Sequence, residues 1–282
     1  MITPAIYGEI EQAMGCRILA VAPLSAANNA QIYRLSLANG EARVAKVAER
    51  GLDTEAWMLK YLQEKSDLPV PTVYYSNEHV IIMAFAQSQG MIDYRAEGGA
   101  AQQLAALHNV TADQYGIERD TLIGSLPQPG GWHSDWPKFF AEQRLLHMAR
   151  KAMEENKIDA RMMTQFEKLA AKLPNMLKNP QAPSLVHGDV WSGNVIVGRG
   201  GIAAYLDPAI YYADAEVELA FIRLFNTFSD GFFAKYNELR PIRAGFFEER
   251  ADIYSLYPLL VHTRLFGASY ARKAQKILDR LS

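Results

Sequence analysis

The sequence predicts an α+β fold with two lobes, in which an antiparallel sheet is followed by a mostly helical region. Three observations support this prediction. Short β-rich runs separated by turn signals occupy about the first 85 residues. From Gly98 onward, apolar residues recur with the 3.6-residue period of amphipathic helices. One pair of short β-rich runs interrupts the helical pattern and predicts a small hairpin inside the second lobe.

The first lobe is predicted over residues 1–86. It begins with a short helix at residues 6–14, which ends at Gly15. A helical pattern also covers residues 55–62, and Asp53 or Thr54 is its candidate N-cap. The turn Asn39-Gly40 is a strong hairpin signal between two of the five predicted strands, which lie at residues 17–24, 31–37, 42–47, 73–75 and 79–85.

A connector with a hinge at about residues 84–90 leads to the second lobe, which is predicted over residues 91–282. The small hairpin is predicted at residues 194–197 and 202–206, and the Gly- and Pro-rich segment 116–131 is predicted to be the one long loop. Helices are expected at residues 100–108, 136–155, 161–177, 216–228 and 249–270. A β-rich lobe, a connector and a helical lobe with one hairpin form the bilobal architecture of protein-kinase-like folds.

Composition excludes several classes of partner. A net charge of -2 over 282 residues offers no electrostatic footprint for nucleic acid or for an anionic membrane. No run of 18 or more uncharged apolar residues occurs, and the first residues lack the pattern of a signal peptide, so we expect a cytoplasmic protein that does not span a membrane. The single cysteine, Cys16, cannot form an internal disulfide, and no role is assigned to it.

The segment His187-Gly188-Asp189-Val190-Trp191-Ser192-Gly193-Asn194 is the most informative part of the chain. Asp189 and Asn194 have the spacing of the catalytic Asp and the metal-binding Asn in the protein-kinase catalytic loop. Asp207 leaves the second strand of the predicted hairpin, where that fold keeps a second metal ligand. A proton-accepting carboxylate beside oxygen ligands for Mg²⁺ predicts phosphoryl transfer from ATP. The alternative is a glycine-containing turn with solvated Asp and Asn side chains.

Three further residues are candidates for supporting roles. Lys46 lies two residues after Val44 on the third predicted strand and so shares its face of the sheet. A kinase lysine at this place pairs with the nucleotide phosphates and with a helix glutamate. Glu55 is its proposed partner, although a glutamate in the first helical turn also complements the helix dipole. His187 is predicted either to orient the loop by bonding backbone carbonyls or to pack as a structural histidine.

The segment between the first two strands departs from the kinase pattern. It reads Pro23-Leu24-Ser25-Ala26-Ala27-Asn28-Asn29-Ala30 and contains no glycine, whereas a kinase usually carries a Gly-rich loop there that covers the phosphates. Asn tolerates positive φ, and small Ser and Ala side chains permit close backbone approach, so the loop can still cover phosphates. The same sequence is also expected of a pseudokinase with weakened nucleotide binding.

Residues 187–194, called the catalytic segment below, resemble the corresponding segment of the fructosamine kinase (ketosamine 3-kinase) family. In that family a tryptophan follows the catalytic Asp by two residues. Trp191 is the discriminating residue, because the related aminoglycoside phosphotransferases and choline kinases usually lack it. Four further stretches resemble the same family: Leu104-Ala105-Ala106-Leu107-His108; Trp132 with Asp135-Trp136-Pro137-Lys138-Phe139-Phe140 and Arg144; Asp207-Pro208-Ala209 with Tyr211-Tyr212; and Glu216-Val217-Glu218-Leu219-Ala220.

The resemblance implies ATP-dependent phosphorylation of a sugar hydroxyl on ketosamines, the small-molecule or protein-bound adducts of glycated amines. It implies that Asp189 is the base, that Asn194 and Asp207 bind metal, and that Lys46 binds phosphate. It also implies that the backbone of Ala84-Phe85-Ala86 contacts adenine. Trp191 is a candidate wall for the sugar, and Asp214 and Glu216 are candidates for its polar contacts, with helix capping as their alternative role.

Other readings remain open at this point. The chain can be another small-molecule phosphotransferase, of the aminoglycoside or choline type, or a non-catalytic binding module that keeps the kinase fold. A protein-substrate kinase is disfavoured, because Glu216 follows Asp207 by only nine positions, which leaves no room for a peptide-docking segment. The preferred ketosamine, the hydroxyl that is phosphorylated, and the choice between monomer and homodimer are not determined by the sequence.

Overall fold

The computed structural model describes residues 4–27 and 30–281. Its first part, the sheet region, is a five-stranded antiparallel sheet with the strand order β1-β2-β3-β5-β4. The strands are β1 Ile18–Ala27, β2 Ala30–Leu37, β3 Ala42–Val47, β4 Val73–Ser76 and β5 Val80–Ala84, and the helices are α1 Pro4–Met14 and α2 Leu52–Lys65. The predicted strands of this region are confirmed within a few residues at each end.

The two faces of this sheet pack against different helices. Because side chains alternate along a strand, Ala45 of β3 lies in the apolar cluster with Ile10 of α1, whereas its neighbour Val44 packs with Leu59 of α2. Lys46 opposes Ile81 of β5, which also belongs to the α2 cluster. The register of β3 therefore points Lys46 toward helix α2.

Helix α2 begins earlier than the sequence predicted. Its N-cap is Gly51, with φ of 88°, and no side chain caps it, so the prediction of Asp53 or Thr54 as the cap is wrong. Only glycine adopts this left-handed conformation at little cost, and it allows the chain to turn into the helix directly after β3. Leu52 is then buried against the sheet, and Glu55 lies in the first turn.

The second part, the helical region, contains most of the helices. They are α3 Tyr94–His108, α4 Trp136–Phe139, α5 His147–Glu154, α6 Ala160–Met176, α7 Glu216–Leu224, α8 Asp230–Leu239, α9 Ala251–Phe266 and α10 Ala268–Leu281, and two π-helical segments cover Phe140–Leu146 and Phe246–Arg250. The helix predicted at 249–270 is divided at Gly267, which has φ of 94°. Helix α8 was not predicted, and α7 ends four residues earlier than expected.

Short strands in the helical region surround the predicted catalytic segment. They are β6 Tyr115–Ile117, β7 Thr121–Ile123, β8 Leu126–Gln128, β9 Gly131–His133, β10 Ser184–Val186, β11 Val195–Gly198, β12 Gly201–Tyr205 and β13 Tyr211–Ala213. The small hairpin is confirmed as β11-β12, but the predicted long loop at residues 116–131 contains parts of four strands. The other short strands of the helical region form the β7-β8 hairpin and a four-stranded sheet of order β10-β13-β6-β9.

The sheet region and the helical region meet at the end of the β11-β12 hairpin. The backbone N–H of Tyr205 donates to the Pro69 carbonyl at 2.8 Å, and that of Gln89 donates to the Val197 carbonyl at 2.9 Å. These bonds hold the β11-β12 hairpin against the segments that precede β4 and follow β5. Over the described parts of the chain, no helix is both long enough and apolar enough to cross a membrane.

Candidate active site

A tight backbone turn carries the catalytic segment out of strand β10. Gly188 has φ of 87°, and a Cβ atom there would lie 2.2 Å from the carbonyl oxygen of Ala209. A side chain at position 188 would therefore collide with backbone, which explains the glycine in this motif. Ala209 also donates its N–H to the His187 carbonyl at 2.7 Å. The catalytic segment and the segment after Asp207 are thus held against each other.

Asp189 and Asn194 form a closed local arrangement. The Asn194 Nδ2 group donates to the backbone oxygen of Asp189 at 3.0 Å and to its Oδ2 at 2.9 Å. A short 3₁₀ turn over Ser192–Asn194 brings the two residues together. Because the amide nitrogen is used in these bonds, the amide oxygen of Asn194 is the atom left to ligate a metal ion.

Asp207 has a strained backbone. Its φ of 51° is left-handed, a conformation that costs a non-glycine residue about 1–3 kcal/mol unless its surroundings impose it. The preceding residue, Leu206, donates its N–H to the Asn194 carbonyl at 2.8 Å, and the Asp207 Oδ1 accepts from Lys46 Nζ at 2.8 Å. The hairpin therefore aims this carboxylate at both the catalytic segment and strand β3.

Lys46 joins the sheet region to this site. Its Nζ donates to Glu55 Oε1 at 2.9 Å and to Oε2 at 2.8 Å, in addition to Asp207. Burial disfavours the lysine charge, but the carboxylates of Glu55 and Asp207 outweigh it and raise the pKa of Lys46 above its ordinary value. Burial also raises the pKa of Glu55 to about 7, and Lys46 opposes this shift. Lys46 is therefore a charged, fixed cation.

The pKa of the Asp189 carboxyl is strongly raised. Burial and then the negative charge of Asp207 raise the pKa of Asp189 to about 8, while the hydrogen bond from Asn194 opposes the shift. A carboxyl that ionises near neutral pH is suited to accept a proton from a hydroxyl group. Added positive charge between Asp189 and Asp207 would relieve the repulsion and lower this pKa.

A cavity of about 620 Å³ is lined by nine of the twelve predicted site residues. One end is lined by the connector residues Ala84, Phe85 and Ala86, and the other end by the charged groups. The predicted residues along that second end are Lys46, Glu55, Asp189, Trp191, Asn194 and Asp207. Leu24 and Ser25 from the glycine-free segment also line the cavity, whereas Asn28 and Asn29 lie outside the described residues. The arrangement can hold an elongated ligand with its anionic end at Lys46.

Trp191 lies at the mouth of this cavity with 43% of its surface exposed. Its ring covers the backbone of the same segment, because a Cβ atom on Gly193 would lie 2.3 Å from the ring. Gly193 therefore permits the ring to lie flat on the loop beside Asp189. An exposed indole in that position offers an apolar wall to a ligand.

The structure places Asp214 and Glu216 away from this cavity, in contrast to their prediction as substrate contacts. Both side chains are 0% exposed and absent from the cavity wall. Arg243 Nη2 contacts Asp214 Oδ2 at 2.5 Å and Glu216 Oε2 at 2.8 Å, and Arg250 Nε contacts Glu216 at 2.6 Å. Buried carboxylates need such partners, so the two arginines account for the burial of both acidic side chains. Burial raises the pKa of Asp214 to about 6, which Arg243 opposes.

The sequence did not indicate a role for Glu218, which accepts hydrogen bonds from the backbone of the catalytic segment. This buried carboxylate of helix α7 accepts from the backbone N–H of Gly188 at 2.6 Å and of His187 at 3.3 Å. It also contacts His108 Nε2 at 2.8 Å, and His108 Nδ1 contacts the Tyr236 hydroxyl at 2.7 Å. Both glutamate and histidine lay in segments that carry the family resemblance, but nothing in the sequence indicated that they touch.

His187 is a fully buried histidine that contacts the backbone of the catalytic segment. Its Nδ1 is within 3.3 Å of the Asp189 backbone N–H, so it accepts from an amide rather than bonding only to carbonyls. Burial lowers the pKa of His187, although Glu218 and Asp207 oppose the shift. A neutral ring with Nδ1 as acceptor is consistent with that bond.

Comparison with known proteins gives a consistent result. A model of the fructosamine kinase family matches residues 27–282 of this chain. A probable ketoamine kinase of Vibrio vulnificus is 31% identical over 233 residues, 80% of this chain and 79% of the relative. The chloroplastic protein-ribulosamine 3-kinase of Arabidopsis thaliana is 34% identical over 235 residues, 80% of this chain and 70% of that protein.

Solved structures show the same architecture. The crystal structure of a candidate fructosamine-3-kinase from Thermobifida fusca superposes with a TM-score of 0.91 at 29% identity and covers 99% of each chain. The aminoglycoside phosphotransferase APH(4)-Ia has a TM-score of 0.68 at 17% identity, with 98% of this chain and 97% of that chain covered. The predicted α+β, protein-kinase-like fold is thereby confirmed.

Proposed function

We propose that this chain, which belongs to the fructosamine kinase family, transfers the terminal phosphate of ATP to a sugar hydroxyl of a ketosamine. The observation that carries this proposal is the convergence of Asp189, Asn194, Asp207 and Lys46 at one end of a single cavity whose other end is the connector. Phosphoryl transfer needs mainly such positioning and charge neutralisation.

In this proposal, residues up to 86 form the nucleotide-binding lobe, residues 84–90 form the hinge, and residues 91–282 form the catalytic and substrate lobe. The backbone of Ala84, Phe85 and Ala86 meets adenine, and Lys46 meets the phosphates. Glu55 holds the lysine in place through its two short hydrogen bonds. The hydrogen bond from Lys46 to Asp207 weakens when the lysine donates to phosphate oxygens instead.

The donor atoms near the phosphate end fit Mg²⁺. Asn194 supplies an amide oxygen and Asp207 a carboxylate, and Mg²⁺ prefers few protein oxygens together with substrate phosphates. When bound, the ion neutralises charge on the transferred phosphoryl group. The left-handed backbone of Asp207 supports this assignment, because such strain concentrates at functional positions.

Asp189 acts as the base in this proposal. It orients the acceptor hydroxyl and takes its proton as the oxygen attacks phosphorus, while Trp191 provides the wall on which the sugar lies.

The test is ADP formation when the protein is mixed with Mg·ATP and fructosyl-lysine or a ribulosamine. Turnover on an aminoglycoside or choline, with none on any ketosamine, would assign the chain a different acceptor. No turnover on any acceptor and no thermal shift with Mg·ATP would indicate a non-catalytic module.

The raised pKa of Asp189 predicts a pH profile. The base must be ionised, so kcat/KM should rise with pH and level off only above about pH 8, which is the pKa of Asp189 in the free protein. The acidic limb of kcat should lie at lower pH, because bound Mg²⁺ opposes the repulsion between Asp189 and Asp207. Initial rates with both Mg·ATP and ketosamine subsaturating report the free protein, and rates with both saturating report the complex. A kcat/KM that is flat between about pH 6 and pH 9 would contradict the role of Asp189.

The packing of Trp191 on Gly193 predicts a selective effect on the acceptor. The Gly193→Ala substitution should displace the indole ring without removing it, since the new methyl group would occupy the position of the ring. We expect KM for the ketosamine to rise about tenfold, which is about 1.4 kcal/mol, with KM for ATP nearly unchanged. Gly200→Ala is the matched control, because a Cβ atom there has no neighbour within 4 Å. Equal effects on both substrates would contradict the assigned wall.

A further inference from the structure

We propose that Gln128, at the end of the β7-β8 hairpin, is a positioning residue that holds Asp207 in its metal-binding conformation. The inference rests on the proposed kinase function, because it concerns the geometry of the proposed metal site. Gln128 lies 79 residues before Asp207 in the sequence and does not line the cavity, so its action is indirect.

Gln128 is a fully buried amide with every polar atom bonded. Its Nε2 donates to Thr121 Oγ1 at 2.8 Å and to the Ala209 carbonyl oxygen at 3.1 Å. Its Oε1 accepts from the Tyr257 hydroxyl at 2.8 Å. The side chain is 0% exposed. One side chain therefore joins the hairpin, helix α9 and the segment that follows Asp207.

The bond to Ala209 is the one that reaches the proposed site. Ala209 is two residues after Asp207, its N–H donates to the His187 carbonyl, and its carbonyl oxygen faces Gly188. Gln128 is the only side chain among the described residues that donates to this carbonyl. It therefore fixes the peptide that anchors Asp207 on its C-terminal side.

Asp207 needs such an anchor because its backbone is left-handed. On its N-terminal side the Leu206 N–H is bonded to the Asn194 carbonyl, and on its C-terminal side Ala209 is held by His187 and Gln128. A non-glycine residue keeps this conformation only where the surrounding structure imposes it. When the Gln128 bond is lost, the carboxylate of Asp207 is free to relax away from Asn194.

The hairpin that ends at Gln128 is itself at the phosphate end of the cavity. Gly124, at its tip, lines the cavity together with Lys46, Glu55 and Asp207. Leu122, on its first strand, lies 3.0 Å from where a Cβ atom on Gly51 would be, at the start of helix α2. The hairpin is thus a rigid support between helix α2 and the Asp207 segment, and Gln128 is its attachment to that segment.

The test measures metal binding directly, by electron paramagnetic resonance of Mn²⁺ in the presence of a non-hydrolysable ATP analogue. The Gln128→Met variant keeps the size of the side chain and removes its hydrogen bonds. We expect it to weaken Mn²⁺ binding about 10–100-fold, as found for residues that support metal ligands, and to raise the Mg²⁺ concentration needed for half-maximal turnover. KM for the ketosamine at saturating Mg²⁺ should change little.

Two controls remove the other bonds of the same amide. Thr121→Val and Tyr257→Phe each delete one partner of Gln128 and leave the bond to Ala209. They should unfold at lower temperature, as Gln128→Met should, but keep Mn²⁺ affinity within about twofold of the original protein, because support for Asp207 is retained. Equal losses of Mn²⁺ affinity in all three variants would overturn the inference, since they would show a general effect of core damage.

Unchanged Mn²⁺ affinity in folded Gln128→Met protein would also overturn it. Should that variant fail to fold, Gln128→Leu, which also removes every hydrogen bond of the amide, must show the same loss of Mn²⁺ affinity. Failure of the proposed function is distinguishable, because the unsubstituted protein would then bind no Mn²⁺ with the nucleotide analogue.

Discussion

The Asp189→Asn substitution should lower kcat by about 10²–10⁴-fold while ATP affinity stays nearly the same. Asparagine keeps the size of the side chain and can still bond to Asn194, but its amide cannot accept the hydroxyl proton. The nucleotide contacts proposed for Lys46 and the connector do not involve Asp189. Steady-state rates with a ketosamine, together with calorimetric titration of ATP, measure the two quantities separately.

The same substitution should not weaken the fold, which separates loss of chemistry from loss of structure. The pKa of Asp189 is raised to about 8 in the folded protein from an ordinary value of 3.8. This carboxyl therefore favours folding most below its unfolded pKa, and that contribution is lost as pH rises through about 8. The melting temperature of Asp189→Asn relative to the original protein should increase between about pH 5 and pH 9.

Asp252→Asn is the matched control for this experiment. Asp252 pairs with Arg280 at 2.6 Å on the surface of the helical region, outside the cavity. Surface pairs contribute about 0–1 kcal/mol, so turnover and melting temperature should change little. Full activity of Asp189→Asn protein would remove Asp189 from the role of base and leave positioning as its only contribution.

The sequence was most informative where function depends on residues close together in the chain. Asp189 and Asn194 meet because a short turn connects them, and Lys46 and Glu55 meet because strand β3 leads directly into helix α2. Strand alternation, helix period and motif spacing are all local properties, and they placed these side chains correctly relative to one another. The roles assigned to them stay proposals.

Sequence reasoning failed where the decisive partner lies far along the chain. Asp214 and Glu216 resemble an exposed acidic pair, and only the distant Arg243 and Arg250 show that they are buried ion-pair residues. The sequence predicts a loop at residues 116–131 because strands of three residues are too short to produce a recognisable alternation. The role inferred for Gln128 in this hairpin depends on its contacts with Ala209 and Tyr257, which are distant from it in the sequence.

The Glu218→Gln substitution should lower both stability and turnover, because Glu218 is the buried acceptor beneath the catalytic segment. Its two oxygens accept from Gly188, His187 and His108, and an amide has only one oxygen with which to replace them. Loss of one charge-assisted bond costs about 1.5–3 kcal/mol. For a chain of this size we expect the melting temperature to fall by roughly 3–12 °C.

Turnover should fall because Glu218 fixes the backbone that carries Asp189. A shift of the base by about 1 Å can lower the rate about 100-fold, so kcat is expected to decrease by up to that factor with KM for ATP nearly unchanged. Glu155→Gln is the matched control: Glu155 pairs with Arg264 at 2.5 Å and is partly exposed, so it should cost less than about 1 kcal/mol.

The pH dependence of stability identifies the charge on Glu218 as the cause. Burial alone would raise its pKa, but His108, His187 and the Gly188 N–H outweigh burial and lower it below the ordinary value of 4.5. The stabilising contribution is therefore present above pH 4.5 and is lost as pH falls through the folded-state pKa. The difference in melting temperature between Glu218→Gln and the original protein should shrink in acid. A double-mutant cycle with His108→Gln should give a coupling energy of about 0.5–3 kcal/mol, and additive effects would show that the histidine and the glutamate do not act together.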